Sequence, residues 1–150
     1  MQVRDILRHK GTEVFKIDPD RTVHNAISKL NEHGVGSLLV VGEDTEILGI
    51  ITERDILHEC GERCVRLDVP AAEDSCPSLV RDVMTRDPVI GLLDDALEYI
   101  MGIMTKHRIR HLPILDEGKL AGIISIGDVV NTLLDSSEFE NRMLRDYVAG

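Results

Sequence analysis

Two hydrophobic periods alternate along this chain, and the alternation occurs twice. Val23, Ala26, Ile27 and Leu30 recur at the spacing of one helical face, behind Thr22 as a cap and ahead of the breakers Gly34 and Gly36. Ser37–Val41 and Ile47–Thr52 are short runs rich in β-branched residues, parted by the polar turn Gly42-Glu43-Asp44-Thr45, and read as paired strands. Residues 13–17 alternate as a strand should before the turn Asp18-Pro19-Asp20, and a second helix is expected from about Glu53 to Cys60. The unit is strand, helix, strand, strand, helix.

The second half repeats it. Residues 88–92 read as a strand, Asp94-Asp95 as a cap, and residues 96–104 as a helix with Leu97, Ile100, Met101 and Met104 inward. Ile109 and residues 112–115 form the next strand, Asp116-Glu117-Gly118 a turn, residues 120–125 a strand, and residues 129–134 a closing helix. Leu112 stands 74 places after Leu38 and Gly122 stands 73 after Gly49, so the second turn is one residue shorter. Val3-Arg4-Asp5-Ile6-Leu7 is echoed by Val80-Arg81-Asp82-Val83-Met84. The expected fold is α/β (α+β), with two tandem repeats related by a pseudo-two-fold axis. The expected domains are residues 1–61 (first repeat with its N-terminal helix), 62–79 (a linker marked by Pro70, Ala71-Ala72, Ser75 and Pro77), 80–134 (second repeat) and 135–150 (a helical tail). Phe139, Met143, Leu144 and Tyr147 share one face of that tail, which needs a partner in the same chain or another subunit.

The repeat carries a doubled motif. Gly49-Ile50-Ile51-Thr52-Glu53-Arg54-Asp55 is matched by Gly122-Ile123-Ile124-Ser125-Ile126-Gly127-Asp128, with a hydroxyl and then an aspartate three places on. One reading is a capping box at a helix start, although Asp is short for that role. The other is a ligand site: a carboxylate at a strand-to-helix junction can accept both hydroxyls of a ribose, and the free N–H groups there favour nearby negative charge. A second cluster is Lys106-His107-Arg108-Ile109-Arg110-His111. Lys106 and His107 suit a helix C-terminus. Arg110 and His111 open the next strand, where a guanidinium fork could take a phosphate. Their first-repeat equivalents are Gly36 and Ser37, so the two places differ chemically.

Composition narrows the partners. Of 150 residues, 43% are hydrophobic and 29% charged, as in an ordinary soluble domain. A net charge of −10 opposes a nucleic-acid surface, and with no Trp, two Phe and two Tyr there is little to stack bases on. No apolar run reaches membrane-spanning length and no secretory layout opens the chain, so a cytoplasmic protein without membrane contact is expected. Three cysteines make no disulfide framework, and His58, Cys60, Cys64 and Cys76 match no zinc spacing. His24 and His33 read as solvent-facing helix residues. No phosphate loop, dinucleotide fingerprint, nucleophile elbow or nucleophile–base pairing is present, so no catalytic residue is assigned.

The element order, the doubled Gly-Ile-Ile-[Ser/Thr]-x-x-Asp and the strand His-x-Ile-x-x-Leu-Pro-Ile resemble a CBS-domain pair, the Bateman module, from Val3 to about Leu134. The Val-Arg-Asp-Ile-Leu opening and the Leu-Arg-Asp-Tyr-Val-Ala-Gly ending are similar to small stand-alone bacterial members. The resemblance implies two clefts between the repeats for adenosine-containing ligands: AMP, ADP, ATP, NAD or S-adenosylmethionine. It implies one site of Asp128, Ser125, Arg110 and His111 with Thr12, and another of Asp55, Thr52 and Arg54 with Thr85 and Ile109. Gly36 and Gly127 would lie at these sites, and Ile50 and Ile123 would flank the adenine. The function implied is a non-enzymatic homodimer that requires no cofactor, takes an adenine nucleotide (AMP, ATP or NAD) as regulatory ligand and signals to an effector protein. A ligand-free interaction and dimerisation module is the rival reading, and a nucleotide hydrolase or transferase a remoter one.

Overall fold

The computed structural model describes residues 1–64 and 77–149. Most of the expected linker, Cys76 among it, lies outside the described residues. The chain divides into two units, 14–88 and 1–13 with 89–150.

In the first unit, β1 (Lys16–Ile17) leads through α2 (Val23–His33) to β2 (Ser37–Val41), then β3 (Ile47–Thr52), α3 (Glu53–Glu59), α4 (Val80–Val83) and β4 (Thr85–Arg86). The sheet order is β1-β2-β3-β4, with β1 and β2 parallel and the other pairs antiparallel. A parallel pair needs a crossover, and α2 supplies it. Its Thr22 hydroxyl accepts from the Asn25 N–H, and Gly34 closes it in the left-handed region at φ 62°. Ile17, Val23, Ala26, Leu30, Leu38, Val40, Ile51, Ile56 and Val80 form its core. At the end of α2, the ring of His33 stacks on Phe15 with centroids 3.9 Å apart. A single π-helical turn, Cys60–Cys64, extends α3.

The second unit holds α1 (Val3–Lys10), β5 (Gly91–Leu92), α5 (Leu97–His107), β6 (His111–Asp116), β7 (Lys119–Ser125) and α6 (Ile126–Ala149). β5 runs parallel to β6, and β6 antiparallel to β7. Val3, Ile6 and Leu7 from α1 join Leu97, Ile100, Met104, Leu112, Ile114, Ile124 and Val129 in its core. The opening strand of each repeat is only two residues long, against the five expected, because only two residues pair with the neighbouring strand. Asp94 and Asp95 do not cap α5, whose N-cap is Ala96; Asp95 accepts the Leu92 N–H and turns the chain instead. The closing helix and the tail are one continuous helix of 24 residues.

By sequence order α1 belongs with the first repeat; by packing it belongs with the second, and α4 belongs with the first. The backbone gives the reason. The first N–H groups of a helix lack intrahelical acceptors. Here the starts of α2 and α4 supply one another: the Val23 N–H donates to Ser78 O at 2.7 Å and the Val80 N–H to Arg21 O at 2.8 Å. The starts of α1 and α5 do the same, from Val3 to Asp95 O at 3.0 Å and from Leu97 to Met1 O at 3.2 Å. The doubled Val-Arg-Asp is the signature of this junction. Val3 and Val80 are fully buried, while Arg4 pairs with Asp94 and Arg81 with Asp20.

Among the described residues no helix is long and apolar enough to cross a membrane. Two glycines give opposite expectations. A Cβ on Gly91 would lie 2.9 Å from the side chains of both Ile114 and Leu112, so Gly91→Ala should cost about 1–3 kcal/mol through overpacking. A Cβ on Gly102, exposed within α5, meets nothing within 4 Å, so Gly102→Ala should stabilise by up to about 1 kcal/mol. Urea unfolding of both variants checks the pair.

Candidate functional site

Both copies of the doubled motif are built alike at first. β3 ends at Thr52 and β7 at Ser125, and the chain turns directly into α3 and α6. The Thr52 N–H donates to Asp55 Oδ2 at 3.0 Å, and the Asp55 N–H returns to Thr52 Oγ1 at 3.3 Å. The Ser125 N–H donates to Asp128 Oδ2 at 2.8 Å, and the Asp128 N–H to Ser125 Oγ at 3.2 Å. Both pairs are therefore capping boxes, with Asp reaching far enough to do the work usual for Glu. The next N–H of each helix is taken by the residue that precedes the neighbouring strand: Glu53 donates to Gly36 O at 3.0 Å and Ile126 to Arg110 O at 2.8 Å. Ser37 pairs with Thr52 and His111 with Ser125 in register, so Gly36 and Arg110 occupy equivalent places at the two helix starts.

The isoleucines sort by strand alternation. Ile51 and Ile124 face their units' helices and belong to the cores. Ile50 and Ile123 point to the other face of each sheet, paired across the strands with Leu39 and Pro113, and are only 5% and 9% exposed. The glycine of each Gly-Ile-Ile admits a neighbour. A Cβ on Gly49 would sit 2.5 Å from the Thr85 carbonyl, and one on Gly122 would sit 2.8 Å from Leu7.

Beyond the capping boxes the two places diverge. In the first unit α4 stops after four residues and the chain enters β4, where Thr85 pairs with Ile50. The Thr85 hydroxyl then makes a long hydrogen bond to Asp55 Oδ1 at 3.4 Å. Gly36, Ile50, Thr52, Arg54, Asp55 and Thr85 are all in this unit, with Arg54 exposed on the first turn of α3. Ile109, expected beside Asp55, belongs to the second unit, half-buried just before β6. In the second unit α1 continues for eight residues through Arg8, His9 and Lys10, which suit a helix C-terminus, to Gly11 at φ 93°. No strand follows. The Lys10 ammonium instead donates to Ile123 O at 2.8 Å and to Asp128 Oδ2 at 2.7 Å. Thr12 lies two residues farther on, exposed; the α1 side chain that reaches Asp128 is that of Lys10.

Lys10 was not singled out from the sequence. The signal that could have found it is the spacing: the Val-Arg-Asp echoes stand 77 apart, Val3 to Val80, whereas the strands stand 74 apart, Leu38 to Leu112. Those three further residues in the first copy lengthen α1. The arginines also change places. Arg54 is matched by Gly127, and Gly36 by Arg110, so each junction carries one arginine from a different element. A Cβ on Gly127 would meet only Ser125 Oγ, at 3.6 Å, an ordinary contact. Within these residues Glu53, Arg54 and Asp55 sum to one negative charge, and Lys10, Arg110 and Asp128 to one positive charge.

A shallow groove of about 520 Å³ lies elsewhere, along α2 and β1, lined by Lys16, Asp18, Arg21, Asn25, Lys29 and Glu32 among others. It includes none of the expected site residues. Among the described residues no group of His, Cys, Asp and Glu could hold a metal ion.

Burial by itself would raise the Asp128 carboxyl. The hydrogen bond from Lys10, that from the Ser125 N–H and the charge of Lys10 outweigh burial and hold the group below its ordinary value of 3.8. A carboxyl depressed on folding stabilises the protein above its unfolded value, and that contribution is lost as pH falls through the folded value. Lys10→Met should therefore lower stability at pH 7 by no more than about 1 kcal/mol, since the pair is partly exposed. The difference from wild type should shrink as pH falls below about 4. Urea midpoints at pH 7, 5 and 3 test this.

Known proteins share this two-repeat fold. The family profile for the CBS domain matches residues 3–62 and 80–135. The chain is 30% identical over 156 residues to the mitochondrial CBS domain-containing protein CBSX3 of Arabidopsis thaliana, covering 99% of this chain and 72% of that protein. The crystal structure of the CBS-domain containing protein ATU1752 from Agrobacterium tumefaciens superposes with a TM-score of 0.78 at 35% identity, covering 87% of this chain and 91% of that one. The structure of CBSX2 in complex with AMP superposes with a TM-score of 0.68 at 26% identity, covering 91% and 98%.

Proposed function

The chain belongs to the CBS-domain family as a regulatory module, and on that premise we propose that it senses an adenosine-containing ligand of the AMP, ATP or NAD class at its two strand-to-helix junctions. The observation that carries this reading is the state of the Asp128 carboxylate. Its Oδ2 is held by Lys10 and the Ser125 N–H, which fixes the carboxylate in direction. A carboxylate so fixed is an acceptor for a ribose hydroxyl. Ser125, the exposed guanidinium of Arg110 and the ring of His111 stand beside the same helix start to meet phosphate. In the first unit Asp55, Thr52 and Thr85 offer a second acceptor cluster, with Arg54 in place of Arg110. The related structure that holds AMP supports this ligand class. No residue here is assigned to catalysis, and the action is linkage: the ligand favours whichever arrangement it binds more tightly.

A charge-assisted hydrogen bond is worth about 1.5–3 kcal/mol, so Asp128→Ala should weaken AMP binding roughly 10- to 150-fold by calorimetry. Unchanged affinity for AMP, ATP and NAD alike would remove Asp128 from the site.

A second reading concerns α6. Val129, Leu133 and Ser136 follow the helix period along its body-facing side, and Phe139, Met143 and Tyr147 continue the same stripe. Phe139 is 65% exposed and Tyr147 86%. A segment of about a dozen exposed residues is marginal as a helix in water by itself. We therefore propose that the stripe packs on a second copy of the chain, giving a homodimer that presents the module to an effector protein. Replacing Phe139, Met143 and Tyr147 together with Ser should convert dimer to monomer in sedimentation velocity; a wild-type monomer would exclude this arrangement.

A further inference from the structure

The two junctions share a capping box and differ in charge, and one side chain makes most of the difference. Lys10 has three N–H donors, of which Ile123 O and Asp128 Oδ2 take two. A third donor remains on the same ammonium, beside the Asp128 carboxylate. The ammonium also neutralises that carboxylate locally, so the junction does not repel an anion. At the other junction Asp55 is met by a neutral hydroxyl, that of Thr85, at the place where Asp128 meets a cation.

We infer that Lys10 is the charge selector of the Asp128 junction, admitting adenosine ligands that carry phosphate and disfavouring neutral or cationic ones such as adenosine and S-adenosylmethionine. The inference rests on the adenosine reading above. A ribose hydroxyl takes Oδ1, Lys10 keeps its hold on Oδ2, and its remaining N–H meets the ligand's phosphate. Thr12 could offer only a dipole from its position, and Arg110 approaches from the opposite strand, so the two cations would flank the phosphate rather than duplicate each other. Lys10 reaches this position because α1 runs three residues past the point where the equivalent segment leaves its helix.

An ion pair that merely ties α1 to α6 would have the same geometry, so the test needs a ligand readout. Binding of AMP, adenosine and S-adenosylmethionine is measured by calorimetry in an Asp55→Ala background, which silences the other junction. With Lys10 present, AMP should bind at least about tenfold more tightly than adenosine, and the ratio should fall as salt is raised from 50 to 500 mM. Lys10→Met should bring AMP and adenosine within about threefold of each other and weaken the salt dependence of the ratio, the remainder being that of Arg110. Lys10→Arg should retain the preference, which also controls for any loss of packing in the Met variant. A tenfold AMP preference that survives in Lys10→Met overturns the selector while leaving the adenosine reading intact. Failure of all three compounds to bind with Lys10 present overturns both.

Discussion

The structure depends on a reciprocal contact between helix starts. A helix begins with N–H groups that its own backbone cannot satisfy, and the short segments α1 and α4 are too brief to persist by propensity. Each is held because its first N–H finds the carbonyl just before another helix, which in turn donates its own first N–H back. The partner in each case is the helix of the other repeat in sequence: α4 against α2, and α1 against α5. That exchange closes each unit's core with a buried valine from the other repeat's leader, Val80 in one and Val3 in the other. Neither core is therefore built from one repeat's consecutive residues alone.

From that exchange the asymmetry of the two junctions follows. Both leaders begin alike, with a valine in the core and an arginine on an aspartate. They differ in where they stop. Leaving the helix at Met84 puts Thr85 in the sheet beside Ile50, and the close approach of β4 to β3 is possible because position 49 is glycine. Continuing the helix to Lys10 places no strand against β7 there, and the Lys10 amine reaches Ile123 and Asp128 instead. Gly122 then admits Leu7 rather than a strand. One motif has thus acquired two electrostatic settings without any change in its own hydroxyl and carboxylate.

Most of the secondary structure was legible because its signals are local. Thr22 with Val23, Ala26 and Leu30, and the β-branched run of each Gly-Ile-Ile, carry period and cap in the same few residues. The capping box was readable in Thr52-x-x-Asp55 and Ser125-x-x-Asp128: it engages Oδ2 of each aspartate, while Oδ1 of Asp55 meets the Thr85 hydroxyl. What escaped was set by packing. The leaders carry no mark of which unit they join, because Val-Arg-Asp reads the same in either place. The tail read as a separate segment because the polar stretch from Asp135 to Ser137 interrupts its apolar positions, although the helix runs through it unbroken. Lys10 was not singled out at all, since its partner Asp128 lies 118 residues away in the sequence.

The continuity of α6 joins the two proposed activities. Asp128 lies in its first turn, and Phe139, Met143 and Tyr147 lie on its distal half. At 1.5 Å per residue the helix spans about 36 Å, and nothing in its sequence supplies a hinge: the only glycine within it is Gly127, in the first turn, and it holds no proline. An angular change at the junction is therefore expressed, enlarged by the lever, at the apolar tail. A ligand of the proposed kind at Asp128 would bias the tail only through a difference in its affinity between two orientations of α6. A ligand that left α6 where it was would be bound without being reported. The ammonium of Lys10 acts at the base of this lever, because it ties α1, anchored in the core through Val3, Ile6 and Leu7, to the carboxylate on the first turn of α6.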